Sequence, residues 1–243
     1  MPKGAEVYRS RRALASPAAR RRTYIIYTVR MDARRYRPLD RVIGEIDKAI
    51  KVLSVPARTR RAAPDAAVEE PALSTAERRE AGRLMRVNHA GEVAAQALYQ
   101  GQALTARDPA VVAALRAAAA EEGDHLAWCE QRMVQLGATP SRLNALWYLG
   151  SWAIGALAGS LEKPASLGFI RETERQVESH LRDHLERLPT ADRRSRAILE
   201  RMQHEEIVHG RNAESMGGGV VPPPIRAAMR HASRLMTHAA YWW

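Results

Sequence analysis

The sequence predicts an all-α protein whose core is a four-helix bundle made of two helical hairpins. Two stretches with the same pattern, residues 122–125 and 206–209, each place a Glu and a His three residues apart. On a helix this spacing puts both side chains on one face, about one turn apart. A further Glu precedes each stretch at a similar distance: Glu92 lies 30 residues before Glu122, and Glu174 lies 32 before Glu206. The chain therefore has the pattern of one hairpin present twice.

Turn signals support the two hairpins, and strand signals are confined to a short apolar patch at residues 24–29. Breaks that contain proline, at residues 107–109 and 189–192, fall midway between the members of each pair of Glu residues. Two antiparallel helices joined at each break bring the paired residues to the same height along the bundle. Six side chains then meet in one layer: Glu92, Glu122, His125, Glu174, Glu206 and His209.

This set of side chains predicts a metal centre with two ions. One Glu from each of two helices, with Glu-x-x-His from each of the other two, is the di-iron arrangement of ferritin-like bundles. Four carboxylates offset most of the charge of two metal ions, and oxygen with imidazole suits iron or manganese. We expect two iron ions per chain. The single cysteine, Cys129, excludes an internal disulfide framework and any site built from several cysteines.

The distribution of charge argues against a nucleic-acid partner, although the 243 residues carry a net charge of +11. Residues 1–30 contain eight Lys or Arg against one acidic residue, so most of the positive charge lies before the predicted bundle. We expect residues 1–37 to form a basic, disordered tail. Its Arg-rich, acid-poor composition also resembles a transit peptide, and a true start at Met31 is a further alternative.

Two short segments separate this tail from the bundle. Residues 38–53 carry apolar side chains at helical spacing and predict an amphipathic helix. Residues 54–72 include Pro56, Pro64 and Pro71 and predict a flexible linker. The bundle domain then occupies residues 73–243, and Ser74 or Thr75 is its expected first N-cap.

Within the domain, residues 143–161 connect the two hairpins and form a run of nineteen residues without a charge. This connection must run from one end of the bundle to the other, alongside the metal layer. Three alternatives stay open for it: spanning a bilayer, packing along the bundle, or dipping into the lipid interface. Residues 225–243 predict a basic amphipathic helix that suits either the membrane interface or the bundle.

Residues 88–92 read Asn-His-Ala-Gly-Glu, which resembles the (D/N)-H-A-G-E signature of the demethoxyubiquinone hydroxylases. These are ferritin-like di-iron monooxygenases of ubiquinone biosynthesis. With both Glu-x-x-His pairs in order, the resemblance extends over residues 84–243. It implies that O2 is used to hydroxylate the ring of a demethoxyubiquinol, 2-polyprenyl-3-methyl-6-methoxy-1,4-benzoquinol. Another ferritin-like di-iron oxidase or peroxidase, or an iron-storage protein, is the alternative.

The resemblance also bears on individual residues of the second hairpin. Spacing alone does not decide between Glu174 and Glu178 as the fourth carboxylate, whereas the turn position and the resemblance favour Glu174. The resemblance implies that His180, six residues later, lies near the site, outside the set of ligands. The family often follows this His with a Tyr, where this chain has Leu181, so no redox role is carried over. His89 is not expected to be a ligand, and no catalytic residue is assigned beyond the metal ligands.

The resemblance implies a peripheral membrane protein that takes a polyprenyl quinol from the lipid surface. Its place would be the cytoplasmic face of a bacterial inner membrane, or the mitochondrial inner membrane in a eukaryote. Other proteins of ubiquinone biosynthesis and further copies of the chain are the protein partners considered. Trp147 and Trp152 of the apolar connection are expected lipid contacts, and the connection is expected to form an apolar lane from lipid to iron.

Overall fold

A computed structural model describes residues 38–69 and 71–243, and the basic tail expected over residues 1–37 lies outside this part of the chain. Within the described residues the protein has seven helices and no strand. They are α1 (Pro38–Ser54), α2 (Thr75–Thr105), α3 (Pro109–Leu136), α4 (Asn144–Ser160), α5 (Lys163–Arg187), α6 (Arg193–Ser215) and α7 (Pro223–Trp242). The predicted all-α fold is confirmed, and the arrangement is consistent with a ferritin-like bundle.

The four helices α2, α3, α5 and α6 form the bundle, and each hairpin turn ends in a side-chain cap. Asp108 accepts a hydrogen bond from the N–H of Ala110 at 2.8 Å at the start of α3. Asp192 accepts one from the N–H of Ser195 at 2.9 Å at the start of α6, and it also pairs with the buried Arg132 at 2.8 Å. These caps satisfy N–H groups that have no partner within the helix. Both turns lie where the proline breaks predict them.

Two apolar clusters fill the bundle, one on each side of the layer that holds the predicted metal ligands. The larger cluster includes Leu84 and Trp128, both buried. The other lies towards the turn between α2 and α3 and includes Tyr99 and Leu115. Because these clusters exclude water, the polar layer between them lies in a region of low dielectric constant, where an unpaired charge is costly.

The connecting helix α4 runs parallel to the C-terminal half of α2. It begins near His89, whose Nδ1 lies 3.4 Å from Nδ2 of Asn144. It ends near Thr105, whose hydroxyl donates a hydrogen bond to the carbonyl of Ala156 at 2.7 Å. Residues 137–143, which begin beside Gly82 of α2, complete the predicted course of the connection from one end of the bundle to the other. Among the described helices, none combines the length and the apolar character needed to cross a membrane.

Glycines allow α2 and α4 to approach each other closely. A Cβ at Gly155 would overlap the carbonyl oxygen of Leu98, and one at Gly159 would overlap the α2 backbone as well. From the other side, a Cβ at Gly101 would overlap the carbonyl oxygen of Trp152. Small residues four positions apart permit such contact between helix backbones. The Gly-x-x-x-Gly pattern of the apolar stretch thus holds α4 against the outer side of α2.

Residues 55–69, between α1 and the bundle, pack against α3 and α6. The N–H of Ala57 donates to the Glu130 carboxylate at 2.7 Å. Asp65 is buried and lies 3.1 Å from the Nε of Arg194. The sequence predicted a flexible linker over residues 54–72, whereas the structure gives this stretch specific polar contacts. Its donors and acceptors find partners on the outer faces of two bundle helices, which local composition does not reveal.

The last helix, α7, packs along α2. Ala240 is buried against Val87 and Ala90, and the hydroxyl of Tyr241 donates to Glu80. Bundle packing, one of the two alternatives for this segment, therefore accounts for one face of the helix. Leu235, on another face, stays exposed.

We expect Gly155→Leu to destabilise the protein because the added side chain collides with the backbone of α2. Overpacking of this kind costs about 1–3 kcal/mol, measured as a fall in the free energy of unfolding in urea. Gly150→Ala is the matched control, since nothing lies within 4 Å of a Cβ at Gly150 and alanine favours the helix. An unchanged stability of Gly155→Leu, or an equal loss in the control, would contradict the packing role.

Candidate metal centre

Six buried side chains from four helices meet in the layer between the two apolar clusters. Each is at most 7% exposed. In chain order they are Glu92, Glu122, His125, Glu174, Glu206 and His209. The structure therefore brings together all six residues that the sequence predicted, and it does so only by packing one hairpin against the other.

The potential ligand atoms fall into two overlapping groups. Within each group the atoms lie within 4.8 Å of one another. Glu122 and Glu206 belong to both groups, and each group is completed by one further Glu and one His. Because a carboxylate has two oxygens, two ions in this layer would share Glu122 and Glu206 while each kept its own Glu and His.

Both imidazoles point Nδ1 into the layer and Nε2 away from it. His125 Nδ1 lies 2.9 Å from Glu122 Oε2, whereas its Nε2 lies 2.7 Å from Glu205 Oε2. His209 Nδ1 lies 3.1 Å from Glu122 Oε1, and its Nε2 lies 3.0 Å from Glu121 Oε2. A carboxylate can only accept, so each outer Glu holds the N–H on Nε2. Nδ1 faces carboxylates as well, and although burial lowers the pKa of both imidazoles, Glu122 outweighs this effect and raises both. The rings are therefore protonated at both nitrogens, and a metal ion would take the place of the proton on Nδ1.

The outer carboxylates complete a crossed pattern that the sequence did not reveal. Glu121 and Glu205 lie outside the six residues predicted from the sequence. Glu205 on α6 holds the His of α3, and Glu121 on α3 holds the His of α6. A signal was present, because in both halves a second Glu directly precedes the Glu of the Glu-x-x-His pair.

Crowding of carboxyl groups in this buried layer shifts their pKa values. Burial and the charge of Glu122 raise the pKa of Glu92 well above its usual value. Burial and neighbouring carboxylates raise the pKa of Glu174 in the same way. Burial would also raise the pKa of Glu122, but the charge and hydrogen bond of His125 outweigh it and lower that pKa. A bound cation would relieve this repulsion between carboxylates.

Unpartnered oxygens provide a test of whether the residues fit a metal. Glu92 Oε2 is buried without a hydrogen-bond partner. Glu122 Oε1 is also buried and lies 3.1 Å from His209 Nδ1, outside hydrogen-bond geometry. Buried polar atoms almost always make a well-formed hydrogen bond, so two buried carboxylate oxygens without one suit a cation. The hard oxygen and imidazole donors are those that iron or manganese accepts. The side chains present therefore fit the predicted pair of metal ions.

The remaining candidates lie outside both groups of ligand atoms. Glu178 is half-buried and away from the layer. His89 faces Asn144, and burial lowers the pKa of its ring to about 4, so it is a neutral packed side chain. The ring of His180 packs against that of His184 with centroids 3.9 Å apart. His180 also lines the cavity beside the layer, which is the neighbourhood predicted for it.

A narrow cavity adjoins the layer on the side of α2, α5 and α7. It has a volume of about 50 Å³, and its lining includes Glu92, Tyr99, Glu174, His180 and Met236. At its inner end, the hydroxyl of Tyr99 donates to Glu174. The sequence predicted that the apolar connection lines a lane of this kind. Among the described residues the outer wall comes from α7 instead, because the glycine contacts hold α4 on the far side of α2.

Comparison with known proteins assigns the family. The family model described as ubiquinone biosynthesis protein COQ7 matches residues 79–240, which is more than half of the chain. The chain belongs to this family. The resemblance first seen in residues 88–92 is thereby confirmed, and the match includes all six side chains of the buried layer.

Curated relatives of this COQ7 family protein align with most of its chain. The 3-demethoxyubiquinol 3-hydroxylase of Bordetella parapertussis is 56% identical over 210 residues, which cover 86% of this chain and 95% of the relative. The protein of the same name from Ralstonia pickettii is 56% identical over 214 residues, covering 84% and 99%. That from Nitrosomonas europaea is 52% identical over 204 residues, covering 84% and 98%.

Proposed function

We propose that this protein is a di-iron monooxygenase that hydroxylates the ring of a demethoxyubiquinol, 2-polyprenyl-3-methyl-6-methoxy-1,4-benzoquinol, with O2. The observation that carries the proposal is the buried layer of four Glu and two His in a chain of the COQ7 family. The name of the relatives at 52–56% identity supports the same reaction. It also favours this function over the peroxidase and iron-storage alternatives.

The proposed metal ligands are the six residues of the layer. Two iron ions would share Glu122 and Glu206, and the other two Glu and the two His would each serve one ion. When bound, the two irons supply the binding and reductive activation of O2, which side chains alone do not provide. Everything else in the reaction is the work of the protein, which positions the ligands, excludes water and admits the substrate.

The side chains around the layer hold the ligands in fixed orientations. The N–H on the Nε2 of each His is bonded to an outer carboxylate, so neither imidazole ring is free to turn. Burial and the charge of Glu174 raise the pKa of Tyr99 well above its usual value. The Tyr99 hydroxyl therefore stays protonated and donates to Glu174. The apolar clusters on both sides of the layer keep bulk water away from it.

The substrate ring is proposed to enter through the cavity between α2, α5 and α7. Leu98, Val177 and Leu181 contribute to its lining, and such apolar side chains suit an aromatic ring. A volume of about 50 Å³ holds little more than a water molecule. Entry of a substituted quinol ring therefore requires α7, which supplies Met236, to shift away from α2 and α5.

Membrane binding is proposed to use the exposed apolar side chains of α1 and α4. Leu149 and Leu157 on α4 are 63% and 68% exposed, and Val42 and Ile46 on α1 are 55% and 54% exposed. The two helices meet at an apolar groove lined by Val42, Ile46 and Leu149. Exposed apolar patches mark surfaces that contact lipid or another protein, and a substrate with a polyprenyl tail favours lipid here.

The two Trp residues expected to contact lipid are half-buried, and Trp152 lines the same apolar groove. Trp147 packs with Ala240 and Tyr241, and Trp152 Nε1 donates to Glu45 at 3.1 Å. In a bacterium, the proposed location is the cytoplasmic face of the inner membrane. Other proteins of ubiquinone biosynthesis and further copies of the chain are the proposed protein partners.

Purified protein reconstituted anaerobically with Fe(II) is expected to bind two irons per chain. Glu174→Gln should lose bound iron because it removes an anionic ligand from a buried site, while its helical circular dichroism is retained. Glu178→Gln, one turn further along α5 and outside the layer, is the matched control and should keep both irons. Iron analysis after gel filtration measures the result, and a wild-type ratio of one metal per chain would refute the paired site.

Expression of the chain in a bacterium that lacks its own demethoxyubiquinol hydroxylase should restore ubiquinone and remove the accumulated demethoxy quinone. Glu92→Ala and His209→Ala should not restore it, because each removes a proposed iron ligand. His89→Asn, on the same helix as Glu92 but outside the layer, should restore it. Quinone extraction with mass spectrometry is the measurement; restoration by the ligand variants, or none by the intact chain, counts decisively against the assignment.

Vesicle binding tests whether the exposed apolar side chains of α4 contact lipid. The double variant Leu149→Glu/Leu157→Glu should sediment less with vesicles of phosphatidylethanolamine and phosphatidylglycerol at low salt, since two charges replace exposed apolar side chains. Val134→Glu is the control, because Val134 is 73% exposed but lies on α3. Equal loss in both proteins, or no sedimentation of the wild type, would show that α4 does not contact lipid.

A further inference from the structure

The segment that precedes the bundle places a guanidinium group beside the outer carboxylates of the metal layer. Arg61 Nη1 and Nη2 donate to Glu205 Oε1 and Oε2 at 2.6 and 3.0 Å. Arg61 Nε donates to Asp124 Oδ2 at 2.7 Å. Glu205 and Asp124 are both buried. A single side chain from outside the bundle thus joins a carboxylate on α6 to one on α3.

The contact of Arg61 with Glu205 continues inward to a proposed iron ligand. Glu205 Oε2, which accepts from Arg61 Nη2, also lies 2.7 Å from His125 Nε2. A two-pronged contact fixes the plane of a carboxylate as well as its position, and that plane sets the direction of the imidazole. Arg201 also pairs with Glu205, but through one nitrogen, 2.5 Å from Oε1, and with a side chain that is 51% exposed.

A second route links the same segment to His125. Arg61 Cζ lies 4.8 Å from the centre of the Trp128 ring, and the Trp128 ring lies 5.4 Å from that of His125. Trp128 Nε1 donates to the hydroxyl of Thr59 at 3.2 Å, and that hydroxyl donates to Asp124 at 3.1 Å. The segment therefore holds both the hydrogen-bond partner of His125 and the ring that packs beside it.

The other half of the metal layer lacks this support. His209 Nε2 lies 3.0 Å from Glu121, whose side chain is 48% exposed. Among the described residues, no guanidinium holds Glu121 in a two-pronged contact as Arg61 holds Glu205. Each His thus belongs to one of the two groups of ligand atoms, but only the carboxylate that holds His125 is itself held by a two-pronged guanidinium contact.

We propose that Arg61 is a positioning residue of the metal centre, which holds His125 in its ligating orientation through Glu205. Residues 57–61 then belong to the functional site, although they precede residue 79, where the match to the family model begins. This inference rests on the proposed function, because it takes His125 as an iron ligand. It follows that binding of the iron held by His125 depends on Arg61 more than binding of the other iron does.

The test compares iron release from Arg61→Ala, Arg60→Ala and the wild type, each loaded anaerobically with Fe(II) and mixed with a chelator. In Arg61→Ala, one of the two irons should leave about 10-fold faster, the size typical when the partner of a metal ligand is removed. The other iron should leave at the wild-type rate. Arg60→Ala is the matched control, since Arg60 is exposed and its backbone N–H makes the bond to Asp124.

A double-mutant cycle shows whether Arg61 acts through Glu205. In a Glu205→Gln background the Arg61→Ala change should have little further effect on iron release, because the link is already broken. Arg61→Lys keeps the charge without the two-pronged contact and should fall between the wild type and Arg61→Ala. If Arg61→Ala loses its helical circular dichroism, Arg61→Lys decides by the same criteria.

Three results would overturn the inference: unchanged release of both irons, equal acceleration of both, or effects of Arg61→Ala and Glu205→Gln that simply add. The two proposals fail in different ways. If the wild type binds no iron, the metal centre and the role of Arg61 both fall. If the wild type binds two irons and Arg61→Ala behaves like it, only the role of Arg61 falls.

Discussion

Repulsion among four carboxyl groups in a buried layer is the constraint on which the rest of this structure depends. The layer lies between two apolar clusters, so solvent and salt screen its charges only weakly. Two imidazoles offset part of this charge, yet two carboxylate oxygens remain without a well-formed hydrogen bond. An arrangement this costly to the free energy of folding persists when it serves a bound group, and a pair of metal ions is the group that its donors suit.

The orientation of the inner side chains is set from outside. Each His is held by a carboxylate from the other hairpin. Helices α3 and α6 therefore each supply a proposed pair of metal ligands and also the carboxylate that holds the His of the other helix. On one side the support extends to Arg61, which comes from a segment outside the bundle. Precise ligand geometry in a protein requires such outer contacts. Here one of them comes from the segment before the bundle, through Arg61 and Glu205.

Packing of the connecting helix α4 against α2 decides which apolar surface stays exposed and which helix lines the cavity. The glycines of α4 bring its backbone onto α2 and leave Leu149 and Leu157 facing outward beside α1. The same contact keeps α4 away from the cavity that reaches the layer, and α7 takes that place. The apolar surface and the cavity entrance therefore lie on different helices, so a substrate that came from lipid, as proposed, would pass between elements that the chain places far apart in sequence.

The sequence by itself determined the helices, the hairpin turns and the six residues of the layer. These features repeat at fixed spacings, and spacing on a helix directly sets which side chains share a face. Glu174 was already favoured over Glu178 by its distance from the turn. Only the tertiary structure decided the outer layer of Glu205 and Arg61, the place of α7 beside the cavity, and the packing partners of Trp147 and Trp152. These depend on contacts between residues distant in sequence, and no local period carries that information, because a surface helix residue looks the same whether it meets water or another segment.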